Sequence, residues 1–276
     1  MRMLFVLLGL LMAAKAGFAA DQATIRIGTE GRYPPWNATG DDGGLEGFEI
    51  DLAADLCRRL NASCAFVEQS WDGMLPALTT DKFDLIMAGM TITEERRQLI
   101  DFSVCYASEP AIFAVRSDNA LAATITLDEK IDLSNLSPGV RITLNALRQA
   151  LAGTTVGVQV ASPHAAFVRR YLRELVEIRY YDTLENLTRD LEAGNVDAAL
   201  SSRTYWSRLG EQDSIPHLAL IGPNMIGDVF GRGVGAGMRK EDGDLRRRVN
   251  DAIAAALADG TIARLAKQWF GYDISC

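Results

Sequence analysis

The chain has 276 residues, 48% of them hydrophobic and 23% charged, with a formal net charge of −8. That balance suits a globular protein large enough for two lobes and excludes a disordered chain. The acidic surplus disfavours nucleic acid and anionic membrane surfaces as partners.

In residues 1–20, Arg2 precedes an apolar run from Leu4 to Ala14, and small residues lead to Ala19-Ala20 before Asp21. This is the pattern of a secretory signal peptide, so an exported, soluble mature chain is expected. Removing Arg2 and Lys15 with it takes the net charge from −8 to −10. No later run approaches the roughly 20 apolar residues that span a bilayer.

Thr24 to Gly28 alternates as a strand, and Thr29 to Trp36 is a loop rich in aromatics and proline. After a polar turn over 37–45, a helix opens at Gly47-Phe48 and carries Ile50, Leu52, Ala53, Leu56 and Leu60. A strand over Ala65–Val67 ends near Trp71-Asp72, where a helix with Met74, Leu75 and Leu78 begins. Phe83 to Met87 is a short buried strand running into Ala88-Gly89. Strand–helix–strand–helix–strand predicts a parallel α/β sheet with right-handed crossovers. Ala88 and Gly89 are small enough to let a ligand approach the backbone. The Thr91 hydroxyl can donate to that ligand, and Arg96 can present a planar fork to a carboxylate. Thr93 caps the helix that follows, with Glu94 and Glu95 in its first turn.

From Tyr106 to Arg116 the pattern is an extended run, and a weakly structured insert over 117–138 follows. A short helix around Leu144–Leu151 ends at Gly153, and Thr155–Val158 is a strand. Ser162 is an N-cap with Pro163 at the first helical position. Glu177–Tyr181 is a strand, Asp182 starts a helix with Leu184, Leu187 and Leu191, and Val196–Leu200 is a strand. Trp71-Asp72-helix-Phe83-Asp84 thus has an echo in Tyr181-Asp182-helix-Val196-Asp197. Two α/β units facing each other are expected, with a ligand held at the carboxyl ends of their strands. Past the Gly-rich tract Gly227–Gly237, helices with Leu245, Val249, Ile253, Ile262, Leu265 and Trp269 return to cover the first unit. One lobe is then 21–108 with 224–276 and the other 109–223, joined by two crossings that permit a hinge.

Cys57 and Cys64 flank RRLNAS, and in an oxidising compartment a local disulfide is expected. Cys105 and Cys276 have no evident mate and are expected to stay unpaired. There is no CxxC or His–Cys cluster, and the histidines are His164 and His217, so no metal or other cofactor is expected. No nucleophile triad order or phosphate loop points to an enzyme.

The strings GTEGRYPPW, GFEIDLAADLC, VEQSWDGMLPAL, FDLIMAGMTITEERR, FGRGVGAGMRKEDGDL and DGTIARLAKQWFGYD occur in this order. Together they resemble the periplasmic polar amino-acid-binding proteins of ABC importers, within the extracellular solute-binding protein family 3. VEQSWDG, the long insert before Gly153, and Ser202 where binders of free basic amino acids carry Asp resemble the octopine- and nopaline-binding branch most. The resemblance implies a two-lobed, type II-like periplasmic-binding fold, each lobe a sheet flanked by helices, and a Cys57–Cys64 disulfide. It implies that Arg96 clamps a ligand carboxylate, helped by Thr91 and the backbone at Ala88 and Gly89. Tyr33 and Trp71 would stack on the ligand, and Glu30 would pair with its distal cation; Trp36 is expected to pack rather than touch ligand. The helix start at Ser162, with Gln159 and His164, is a seat for the second carboxylate of an opine. A small Ala111 stands near the hinge. In departure from the family pattern, Gln159-Val160-Ala161 replaces a run where relatives place Gly, and Pro163 stands where many carry Thr or Ser. The implied function is capture of an arginine-derived opine by a monomer in the periplasm and delivery to an inner-membrane permease. A binder of free arginine, lysine or ornithine is the alternative. A cyclohexadienyl dehydratase-like enzyme, with Glu30 as its acid, is a third reading.

Overall fold

In Thr24–Thr29 the inward side chains Ile25 and Ile27 anchor a central strand, and the rest of the first sheet assembles around it. The structure is a computed structural model and describes residues 23–123, 129–211 and 217–276; the expected signal peptide lies outside them. In chain order the elements are β1 (Thr24–Thr29), β2 (Arg32–Tyr33), β3 (Asn37–Thr39), β4 (Leu45–Glu46), α1 (Phe48–Arg59), β5 (Ser63–Glu68), α2 (Met74–Thr79), β6 (Leu85–Ile86), α3 (Glu94–Leu99) and β7 (Asp101–Phe102). They continue with β8 (Ala111–Arg116), β9 (Lys130–Asp132), α4 (Pro138–Leu151), β10 (Thr155–Gln159), α5 (Pro163–Phe167), β11 (Glu177–Tyr181), α6 (Leu184–Glu192), β12 (Ala198–Ser202), α7 (Arg203–Glu211) and β13 (Leu218–Ile226). The chain closes with β14 (Gly237–Met238), α8 (Gly243–Ala258) and α9 (Thr261–Phe270).

The first sheet has the order β5-β1-β6-β14-β7, with β1 parallel to β5 and β6, and β14 antiparallel to its neighbours. The second has the order β11-β10-β12-β8-β13-β9, with a parallel β11-β10-β12 half and β8 antiparallel to β12 and β13. The chain therefore leaves the first sheet after β7 and returns to it at β14. The expected boundary at 223/224 falls inside β13, whose pairing with β9 continues through Asn224, Met225 and Ile226. Among the described residues no helix is long and apolar enough to cross a membrane.

Two element expectations change. The helix expected at Leu144 begins at Pro138, because Ser137 caps it by accepting from the Val140 N–H and Pro138 supplies a preset first-turn φ. Within the insert expected to be weakly structured, Lys130–Asp132 forms β9 and extends the second sheet.

The terminal helices pack on α1 as the apolar spacing implies. Phe48 is fully buried among Trp36 (5.5 Å between ring centroids), Phe270 (5.3 Å) and Tyr106 (6.3 Å). Cys57 and Cys64 form the expected disulfide. The expectation for the other two cysteines is wrong: Cys105 and Cys276 are bonded to each other. After α9 the tail runs antiparallel beside Cys105–Ser108, with Ala107 bridged to Ser275 and the Ser108 N–H donating to the Ile274 carbonyl at 2.8 Å. A separation of 171 residues hides this pairing until the helices have folded back. Replacing Phe48 by Ala opens the aromatic cluster that joins α1 to α9, and is expected to cost about 3–5 kcal/mol in equilibrium denaturation. A cost below about 1 kcal/mol would show that the terminal helices do not share the first core.

Candidate functional site

The carboxyl ends of β1, β6, β10 and β12 converge on a cleft between the two sheets. On the first-sheet side, β1 delivers Glu30 and β2 delivers Tyr33. Tyr33 lies against the turn after β6, which only glycine permits: Gly89 has φ +61°, and a Cβ there would stand 2.5 Å from Tyr33 Cε1. The turn is held from beneath by Glu49, buried at the start of α1. Its carboxylate accepts from the Gly89 N–H (2.7 Å), from Asn37 Nδ2 (3.0 Å) and from the Tyr106 hydroxyl. The Gly89 N–H is thus committed to the protein rather than to a ligand. Ala88 is fully buried in the apolar layer beneath and does not line the cleft. Thr91 and Trp71 do line it.

On the second-sheet side, Gln159 stands at the end of β10, and Ser162, Pro163 and His164 at the start of α5. The Ser162 hydroxyl donates to the Gln159 carbonyl (2.6 Å) and accepts from the Ala165 N–H (3.1 Å), so it is spent on the cap. Pro163 has no N–H, so this helix start lacks one donor, as its sequence already implies. Ser201 and Ser202 end β12 and both line the cleft. Ser201 is 1% exposed, and its hydroxyl has no hydrogen-bond partner among the described residues. Ala111, Leu184 and Phe230 add apolar wall.

Side chains of the two sheets meet across this space. The Tyr33 and Ser202 hydroxyls are hydrogen-bonded at 2.7 Å, Gln159 Nε2 donates to Glu30 Oε1 at 3.3 Å, and Trp71 Nε1 donates to the Val160 carbonyl at 3.1 Å. Trp36 is fully buried, as expected of a packing residue, and its Nε1 donates to Thr204 Oγ1 at 3.2 Å. Arg96 sits at the edge of the cleft, in the wall of the adjoining groove, rather than in the lining. Its Nη1 donates to the Thr91 carbonyl (2.9 Å) and its Nη2 to the Ala161 carbonyl (3.2 Å), and its guanidinium lies 5.0 Å from the Trp71 ring centre.

The electrostatics are unbalanced. Arg96 is 7% exposed, and no carboxylate comes within ion-pairing distance of it among the described residues. Burial lowers its pKa to about 10, so it stays charged at neutral pH. His164 is pushed down to about 3 by burial, then by the charge of Arg96, and is neutral. Burial raises Glu30 to about 7, against the Gln159 amide that lowers it.

Glu109 also reaches about 7, with burial the leading cause and bonds from Thr204, Tyr33 and Ser202 opposing it. Sequence reasoning missed Glu109, which lines the cleft just before β8, and missed Glu49 and Thr204. For Glu109 the available signal was an acid beside a proline where the extended run begins. Among the described residues no cluster of His, Cys, Asp and Glu has the geometry of a metal site.

A cleft with an uncompensated guanidinium at its rim and buried carboxyls within it suits a small zwitterion. The comparisons with known proteins agree in kind. The chain is 35% identical to an octopine-binding periplasmic protein of Rhizobium meliloti, over 100% of this chain and 99% of that one. It is 34% identical to a histidine-binding periplasmic protein of Escherichia coli, over 99% of each. The solved structure of a periplasmic His/Glu/Gln/Arg/opine family-binding protein from Silicibacter pomeroyi, in complex with lysine, superposes with a TM-score of 0.72. It shares 28% identity and covers 91% of this chain and 99% of that one. Residues 25–272 match the model for the bacterial extracellular solute-binding proteins, family 3, and with that match across nearly all of the described fold the chain belongs to this family.

Proposed function

We propose that this chain is the periplasmic solute-binding component of an ABC importer, and that it captures an arginine-derived opine of the octopine or nopaline kind. One lobe comprises 23–108 with the stretch from 231 onward, and the other comprises 109–230, since Phe230 packs in the second core and the Arg232 N–H bonds back to the Ile92 carbonyl. Closure of the lobes buries the ligand, and the closed monomer presents it to an inner-membrane permease without chemical change. The observation that carries this reading is Arg96, a buried guanidinium held by two carbonyls and an aromatic face, with no carboxylate within ion-pairing distance among the described residues. Leaving such a charge unpaired is costly, and a ligand carboxylate relieves that cost. Thr91 lies beside Arg96 and supports the same end of the ligand. Glu30, at the Gln159 side of the cleft, takes the distal guanidinium, with Trp71 and Tyr33 along its length.

A second reading, capture of free arginine, lysine or ornithine, is favoured by one observation. The seat for a second carboxylate has a neutral His164 and a Ser162 hydroxyl already spent on its helix cap. Thermal shifts of ligand-stripped protein separate the two readings, because a tight ligand stabilises the folded form by mass action. Octopine or nopaline should give the largest shift. A shift with arginine or lysine alone transfers the assignment to free basic amino acids, and no shift with any of them overturns both.

Two further outcomes are expected. Arg96→Ala should weaken binding about 100-fold or more, and Arg96→Lys about 10-fold, because lysine keeps the charge and loses the fork. Titration calorimetry reads both, and equal affinity in all three proteins would remove Arg96 from the site.

The pH dependence has two opposed signs. Glu30, Glu49 and Glu109 each have a folded pKa raised to about 7, so the folded protein binds more protons than the unfolded chain between about 4.5 and 7. Their contribution to stability is therefore greatest at low pH and is lost as pH rises through 7. His164, lowered to about 3, works the other way between about 3 and 6.5 but is one group against three. The ligand-free protein should melt higher at about pH 5.5 than at about pH 8. Affinity for a cationic ligand should instead rise with pH through 7, because the cation needs an ionised carboxylate. Melting curves and titrations at the two pH values check both signs.

A further inference from the structure

The proposed ligand leaves Glu109 without a role, and its surroundings are specific. It stands on the chain segment that crosses between the sheets, just before β8, and it faces the cleft beside Pro110 and Ala111. Its neighbours come from both lobes. The Tyr33 hydroxyl on the first side donates to Oε1 at 3.0 Å, and the Thr204 hydroxyl on the second side donates to Oε2. The Ser202 hydroxyl faces it as well. These groups are linked to one another, Tyr33 to Ser202 at 2.7 Å and Ser202 to Thr204 at 3.3 Å. All are neutral hydroxyls, joined by the Thr204 backbone N–H, and no basic side chain lies within ion-pairing distance of Glu109 among the described residues.

A carboxyl in this setting differs from a structural one. Linked hydroxyls can turn their protons toward the carboxylate when it ionises and toward each other when it does not. They stabilise a negative charge without neutralising it, which leaves room for a cation from outside the protein. Ser201 lines the same cleft from the same strand end, and its hydroxyl has no hydrogen-bond partner among the described residues. Glu30 occupies a different corner, bonded to Gln159 at the end of β10, whereas the partners of Glu109 gather at the end of β12. The cleft therefore holds two acids in two places, Glu30 buried and Glu109 half-buried, each facing inward and neither within ion-pairing distance of a basic side chain among the described residues.

We propose that Glu109 receives a second cationic nitrogen of the ligand, so that the cleft selects solutes carrying two cationic nitrogens and a carboxylate between or beside them. This rests on the proposed function and deepens it. Glu30 holds the distal cation, Arg96 the carboxylate, and Glu109 the amine on the α-carbon, whether that amine is primary or, as in an opine, secondary. Because Tyr33 and Thr204 belong to different lobes, the hydroxyl set around Glu109 is complete only when the lobes meet. Recognition of the amine and closure are then one event.

The test compares ligands that differ only in this nitrogen. Binding of octopine, L-arginine and des-amino arginine (δ-guanidinovaleric acid) is titrated into the wild type and Glu109→Gln, with melts of both ligand-free proteins. The wild type should prefer octopine or arginine over the des-amino compound by about 30-fold or more. Glu109→Gln should lose at least about 10-fold for the amine-bearing ligand and change less than about threefold for the des-amino one. Glu109→Asp, which keeps the charge on a shorter stem, should recover part of the preference and serves if the Gln variant does not fold.

If Glu109→Gln weakens both kinds of ligand equally, Glu109 is a strut between Tyr33 and Thr204 and the proposal falls. Wild-type affinity for octopine or arginine that Glu109→Gln leaves intact overturns the proposal alone. If the wild type ignores every solute with two cationic nitrogens and binds glutamine instead, the proposal and the functional reading fall together.

Discussion

The site depends on a cation that the protein declines to neutralise. Arg96 is drawn into the junction of the two sheets by its bond to the Thr91 carbonyl in its own lobe and to the Ala161 carbonyl across from it. Burying a charge costs several kcal/mol even after relaxation. Two carbonyls and the face of Trp71 offset part of this, the aromatic face by about 0.5–2 kcal/mol. A carboxylate would offset more, and none of the described side chains provides one. An arginine suits such a place better than a lysine. Even with its pKa lowered to about 10 it remains charged at neutral pH, whereas a lysine begins from a lower value and would give up its proton sooner under the same burial.

Buried acids in the same region show the opposite arrangement and clarify the contrast. Glu49 is as buried as any residue in the protein, yet an amide N–H, an asparagine and a tyrosine hydroxyl bind its carboxylate. It fixes the Gly89 turn on which Tyr33 rests, so its role is to shape the floor of the cleft. Glu30 has a single side-chain donor, and Glu109 has as many neutral donors as Glu49, but both line the open space where Glu49 lies beneath it. Burial alone does not separate a structural carboxyl from a receptive one. The direction in which it points does.

The fold was legible where the signal was local. Strand alternation, helix caps and the echo between the two halves gave the two-sheet α/β architecture, and the apolar spacing of the last helices placed them on α1. What escaped was non-local or easily overlooked. The Cys105–Cys276 bond depends on a tail that folds back across 171 residues. The α4 start at Ser137-Pro138 carried an ordinary cap signal inside a stretch dismissed as an insert. Within the cleft, Glu30, Tyr33, Trp71, Gly89, Thr91, Gln159, Ser162, His164 and Ser202 come together, while Ala88 lies beneath and Arg96 at the rim. Glu109 was not legible because nothing in SEP says which way the acid points; only the crossing between sheets turns it inward. Conversely, Ser162 and the Gly89 amide looked available in the sequence because their partners, the Gln159 carbonyl and Glu49, cannot be read from it.

Closure and recognition draw on the same atoms. The side-chain bonds that span the sheets come from Tyr33, Trp36, Trp71, Arg96 and Gln159, and all but Trp36 also face the cleft or its rim. Each neutral bond adds only about 0.5–1.5 kcal/mol net, and ordering the long side chains consumes much of that. Closing without ligand would also dry Arg96, Glu30 and Glu109 with no counter-charges, which raises the cost in proportion to how well the lobes meet. A zwitterionic ligand reverses that sign, because the drying that penalised each isolated charge strengthens each pair. The protein therefore needs no strong latch between its lobes. On the proposed reading, a weak set of bonds, one unmatched cation and two acids that titrate near pH 7 would make closure conditional on a solute that matches them.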